Sequence, residues 1–124
     1  MSTKLNDVPT QTTFGHSIPA DTYTETQVGR TIDLIDADGP CFVVAPVFAT
    51  TTPDPVELTV QESTDGSTWT DVALDPEIAF EAPQDAVFTG RFTRTKRYAR
   101  AVLTAAEATD LRAAVLIGQQ KKTV

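Results

Sequence analysis

Residue types that do chemistry are sparse in this chain. General acid and base catalysis usually recruits histidine or a perturbed carboxylate, and a nucleophile needs a base beside it. The sequence has one histidine, His16, and one cysteine, Cys41. His16 lies between Gly15 and Ser17 in a threonine-rich stretch, which suits an exposed or interface residue better than a catalytic one. Cys41 precedes Phe42, Val43 and Val44, so a buried, inert thiol is expected. A single thiol cannot close an internal disulfide. Neither an enzyme nor a cofactor is expected from this inventory.

Metal chemistry has one place to start. Asp33, Asp36 and Asp38 precede Gly39, and calcium prefers oxygen ligands at alternating positions. A calcium loop also needs a glutamate at a fixed place past its glycine, and that place is held by Ala45 inside an apolar run. The acidic stretch therefore reads as a solvated turn, and no His/Cys cluster exists for zinc. Arg91, Arg94, Lys96, Arg97 and Arg100 form a basic cluster with three possible uses. It could contact nucleic acid, pair across strands with acids such as Glu57, Glu62 or Asp71, or meet an acidic face of a neighbouring subunit. Together with His16, these residues are the candidate intermolecular contacts. Trp69 and Tyr98 could stack on a sugar, but packing in a small core is the stronger expectation.

The totals narrow the classes. The chain has 124 residues, 40% of them hydrophobic, which suits one globular domain able to fold without disulfides or a structural metal. No apolar segment approaches the length of a membrane span, and the opening residues Met1 to Asp7 lack the pattern of a signal peptide. Synthesis in the cytoplasm and no membrane partner are the expectations. A formal charge of −7 makes nucleic acid an unlikely main partner. The charge is unevenly spread, −13 over residues 1–90 and +6 over residues 91–124. Such polarity can join strands within one molecule or faces of neighbouring ones.

The elements that would position these residues read as all-β. Residues 1–27, with seven threonines and few large apolar side chains, read as an extended N-terminal arm. From Val28 onward short apolar runs alternate with turn signals, the spacing of an antiparallel β-sandwich of about seven or eight strands over residues 28–120. A short basic tail, residues 121–124, follows. Strands are expected at Val28–Ile35, Cys41–Phe48, Val56–Ser63, Thr68–Ala73, Arg94–Thr104 and Leu111–Gln120, with a turn at Asp36–Pro40 and a long loop carrying an edge strand between Leu74 and Gly90. Cys41–Phe48 is apolar on both faces, as a strand in mid-core would be. Ala105–Val115 could instead be helical, but Thr109 and Val115 lean toward strand. The expected core anchors are Phe42, Val44, Leu58, Val60, Trp69, Val115 and Ile117.

An ordered set of motifs carries a resemblance. The segment from Val56 to Val72 contains Gln-Glu-Ser-Thr-Asp-Gly-Ser-Thr-Trp-Thr-Asp-Val, the segment from Arg97 opens Arg-Tyr-Ala-Arg, and Ala113 to Gly118 is a final apolar strand ending in glycine. This order resembles small β-sandwich proteins of tailed-phage virions over roughly residues 28–118. The resemblance implies a capsid decoration or cement protein, a homotrimer that binds the major capsid protein in the virion. A tail, connector or fibre component, or a glycan- or receptor-binding module, would use the same sandwich. The threonine-rich stretch and the acidic, proline-broken Asp75–Asp85 depart from the pattern.

Overall fold

The computed structural model describes residues 12–35, 37–51, 55–81, 83–105 and 110–121. The described residues form strands β1 (Thr12–Tyr23), β2 (Gln27–Val28), β3 (Ile32–Asp33), β4 (Ala37–Thr51), β5 (Val56–Ser63), β6 (Thr70–Val72), β7 (Ile78–Phe80), β8 (Gln84–Thr93), β9 (Tyr98–Thr104) and β10 (Asp110–Lys121). A four-stranded sheet runs β1-β10-β4-β8. A six-stranded sheet runs β2-β9-β5-β6, with β3 also on β9 and β7 also on β5. Every pairing is antiparallel. The fold is the expected all-β sandwich, with its strands divided more finely.

Alternation builds the core. In β5, Val56, Leu58 and Val60 are buried while Glu57 is exposed, because successive side chains leave a strand on opposite faces. Facing them, Cys41, Val43, Ala45, Val47 and Ala49 of β4 and Leu111, Ala113, Val115 and Ile117 of β10 are buried from the four-stranded sheet. Ala99, Ala101 and Leu103 of β9 complete the layer. Of the expected anchors, Leu58, Val60, Val115 and Ile117 lie in this core. Phe42, Val44 and Trp69 do not. Phe42 and Val44 alternate with the buried residues of β4 and are only half-buried on its other face, and Trp69 is half-buried outside the six-stranded sheet.

Three boundaries differ from expectation. The arm was expected to run to residue 27, yet Thr12–Tyr23 is an edge strand paired along β10 from Thr12↔Gln120 to Tyr23↔Leu111. Its register slips twice, between His16 and Ile18 and between Ile18 and Asp21. Such bulges break the simple alternation that sequence periodicity relies on. Residues 1–11 lie outside the described residues. Of the expected turn at Asp36–Pro40, Ala37 to Pro40 already belong to β4, with Ala37 opposite Lys121 and Pro40 opposite Thr93. Asp36 lies outside the described residues. The tail begins one residue late, since Lys121 ends β10, and residues 122–124 are outside the description.

The bulge in β1 has a structural use. It turns the buried Ser17 toward the other sheet, where its Oγ accepts from the Ala101 N–H at 2.9 Å and donates to the Arg30 carbonyl at 2.9 Å. The Gly29 N–H donates to the Ala101 carbonyl at 2.7 Å and the Arg30 N–H to the Ser17 carbonyl at 2.6 Å. A Cβ on Gly29 would fall 2.2 Å from Ser17 Oγ, so only glycine fits. These contacts split the expected strand Val28–Ile35 into β2 and β3 and close the sandwich along the β1 side.

Candidate functional site

β4 and β8 pair without a register slip from Pro40↔Thr93 to Ala49↔Gln84, so their side chains form straight rows. On the outer face Phe42 lies opposite Arg91, Val44 opposite Thr89, Pro46 opposite Val87 and Phe48 opposite Asp85. β10 extends the rows with Gly118 beside Phe42, Leu116 beside Val44 and Arg112 beside Phe48. The centre of this face is apolar and no described residue covers it. Phe48 keeps 46% of its surface accessible and Val87 64%, values expected of charged residues rather than of large apolar ones. Val28 (58%) and Ile35 (55%) are also exposed, but they lie elsewhere, on β2 and just after β3. A shallow groove of about 450 Å³ crosses the face, lined by Pro46, Phe48, Asp85, Val87, Arg112 and Ala114. The Arg112 guanidinium stands 5.7 Å from the Phe48 ring centroid at one end.

The β8 edge of this sheet is partly open. The Arg91 N–H and C=O bond to Asp75, at 2.8 and 2.9 Å, and so point away from β4. By the alternation of an antiparallel ladder, Thr89, Val87 and Asp85 turn their backbone groups the same way. Asp75 satisfies only the Arg91 position.

The outer face of the six-stranded sheet is built differently, because its polar groups satisfy one another. Arg100 Nε donates to Gln61 Oε1 at 2.9 Å while its guanidinium lies 4.2 Å over the Trp69 ring. Gln61 Nε2 donates to Asp71 at 3.2 Å. Lys96 Nζ donates to Thr70 Oγ1 at 3.1 Å. Arg97 makes a two-pronged pair with Asp33 at 3.1 and 2.9 Å and lies 5.0 Å from the Tyr98 ring centroid. Arg94 Nη1 donates to the Lys96 carbonyl at 3.2 Å.

Glu62 and Asp65 hold the loops of that sheet. Glu62, 6% exposed, accepts from the backbone N–H groups of Thr95 and Lys96 at 3.0 and 3.2 Å and from the Thr95 hydroxyl. Burial alone would raise its pKa, but these hydrogen bonds outweigh it and hold the carboxyl below its ordinary range. Asp65, in the expected Asp-Gly hairpin, accepts from the N–H groups of Thr68 and Ser67 and from the Ser63 hydroxyl, which takes its pKa down to about 2. Gly66 beside it has φ of +80°, the conformation for which glycine is suited.

The basic cluster is therefore divided. Lys96, Arg97 and Arg100 face partners within the molecule on the six-stranded sheet, and only Arg91 stands on the outer face of the four-stranded one. His16 is exposed and in register with Leu116. Cys41 is fully buried, which pushes its thiol up to about 11. Among the described residues no group of three or more His, Cys, Asp or Glu side chains could hold a metal ion. Sequence reasoning missed Pro46, Phe48 and Val87 as surface residues. The signal was the two-sided apolar run Cys41–Phe48, whose second face was assigned to the core.

No protein-family model matches the chain, and no curated protein matches it. Among solved structures it is similar to the SPBc2 prophage-derived protein YomS, with a TM-score of 0.51 at 9% identity, covering 87% of this chain and 93% of that one. It is also similar to a chain of the disulfide-linked pili of Bacillus endospore appendages, with a TM-score of 0.49 at 15% identity over 91% and 92% of the two chains. The CBM22-1 xylan-binding domain of Paenibacillus barcinonensis Xyn10C gives a TM-score of 0.47 at 14% identity over 91% and 87%. At such identities the likeness to the prophage-derived protein is one of fold, an all-β sandwich.

Proposed function

We propose that this chain is a non-enzymatic structural protein of a tailed-phage particle, which decorates the capsid and cements it by contacts with the major capsid protein. The observation that carries this reading is the uncovered apolar face of Phe42, Val44, Pro46, Phe48, Val87 and Leu116. A contiguous apolar sheet face of a small protein marks a protein contact surface. The motif order from Val56 to Gly118 supplies the phage context, and many weak contacts repeated by symmetry add up to firm attachment. A sugar-stacking role for Trp69 is disfavoured, since the Arg100 guanidinium already lies over its ring.

The test is cosedimentation of the full chain with purified shells of the phage that encodes it. The wild-type chain is expected to pellet with shells, and Phe48→Asp is expected to stay in the supernatant with an unchanged circular dichroism spectrum. Failure of the folded wild-type chain to bind shells sinks the capsid reading. A tail or connector component would instead copurify with tails, at a small ring's worth of copies per particle.

A further inference from the structure

We propose that two copies of this chain join through their β8 edges, antiparallel about a twofold axis at Val87, so that their four-stranded sheets become one. The edge is suited to this. β8 runs unbulged against β4, and Asp85, Val87 and Thr89 present backbone groups on its free side that no described residue pairs. The other long edge, β1, is bulged and stitched to the opposite sheet through Ser17 and Gly29.

Charge sets the partner and its direction. On the outer face of β8 the charges lie at Asp85 near its start and Arg91 near its end, with Val87 and Thr89 between. Neither the Asp85 carboxylate nor the Arg91 guanidinium has a hydrogen-bonded or ionic partner among the described residues. They cannot reach each other, since the stretch between them spans roughly 20 Å of strand. A second β8 laid antiparallel reverses the order and brings Asp85 of each copy to the Arg91 end of the other. The strand is thus complementary to itself, as a twofold contact requires.

The register follows from what is already occupied. Pairing Asp85 directly opposite Arg91 would need the Arg91 backbone, which Asp75 holds. Placing Val87 opposite Val87 uses only free groups and pairs Asp85 with Thr89 of the other copy. Arg91 then lies diagonal to Asp85, within reach of a long side chain. Pro83, which has no N–H to give, falls where the pairing must end. The two valines, 64% exposed in one copy, meet at the axis.

Sedimentation equilibrium of the full chain tests this. A dimer is expected, weakened by about tenfold or more in Asp85→Arg and in Arg91→Asp through like charges at the joint, and restored when both changes are combined. Val87→Pro removes a donor that points away from β4, so it is expected to give a folded monomer. In the wild-type dimer the Val87 amide exchanges slowly with solvent, and in Val87→Lys the neighbouring Thr89 amide exchanges fast. A monomer at all concentrations, a trimer, or a dimer indifferent to Asp85→Arg and Val87→Pro overturns the proposal.

Discussion

The outer faces of the two sheets solve the same problem in opposite ways. The six-stranded sheet fills its outer face with side chains that bond one another, Gln61 with Arg100 and Asp71 and Arg97 with Asp33, while the buried Glu62 holds the Thr95–Lys96 turn at its end. The four-stranded sheet places Phe42, Val44, Pro46 and Phe48 in a row, with charges at its ends, Arg91 on one side and Asp85 and Arg112 on the other. The polar groups of the six-stranded sheet find partners within one chain, although Val28 on β2 of the same sheet is 58% exposed. The four-stranded sheet leaves apolar area in water, and its removal from water would stabilise an assembly by roughly 25 cal/mol per Å² of apolar surface before binding costs are counted. Apolar residues that do nothing for their own fold mark where a partner acts, and satisfied charges mark where none is needed.

This contrast is open to a double dissociation. The largest effect is expected from Phe48→Asp combined with Val87→Asp, which should weaken shell binding by roughly a hundredfold or more, as loss of a central apolar contact does. Because both side chains are exposed, urea denaturation should shift by only about 0.5 kcal/mol. A large stability loss would mean that the face supports the fold instead.

Next comes Glu62→Ala on the opposite sheet, expected to cost about 2 kcal/mol in urea denaturation by leaving the Thr95 and Lys96 N–H groups without their charged acceptor. Shell binding at a temperature where the variant is folded should be unchanged. Reduced binding would place the functional surface on the wrong sheet.

The third effect is a pH dependence. Asp65 and Glu62 both have pKa values depressed in the folded chain, so each binds protons more readily when unfolded. Their contribution is present above the ordinary carboxylate range, near pH 4, and is lost as pH falls toward the folded values. Thermal melts of Asp65→Asn should therefore lose less stability than wild type between about pH 4 and pH 2, the folded value of Asp65 being about 2. Parallel curves would show that the hairpin hydrogen bonds do not stabilise the carboxylate. The smallest effect belongs to Arg97→Ala, whose pair with Asp33 is about half exposed at 46% and 44% and screened by salt. Neither the melting curve at moderate salt nor shell binding is expected to move.

Parts of this arrangement were legible in the residues. The strand Val56–Ser63 has the bounds that its alternation indicates, and Asp65-Gly66 marks the hairpin, since these are local properties of backbone and side chain. The reading of Ala105–Val115 as strand rather than helix agrees with β10 over residues 110–115, residues 106–109 lying outside the described ones. The basic cluster was legible as a cluster but not as two groups, because a turn at Thr95–Lys96 sends Arg91 to one sheet and Arg100 to the other. Trp69 looked like a core anchor by size and composition alone. Its position beyond Asp65 in the hairpin loop, with Arg100 across from it, depends on pairing with a distant strand.

Composition and period alone determined that this chain makes strands, that its lone cysteine is buried, and that its charge is divided between its two parts, because each of these depends on residues close in sequence. Tertiary structure decided which face of β4 is core and which is surface. The run from Cys41 to Phe48 is apolar on both sides, and only the six-stranded sheet lying against one of them distinguishes the two. It also decided that Thr12–Tyr23 is a strand, since hydrogen bonds to β10, nearly the whole chain length away, stabilise it more than its own weak alternation does.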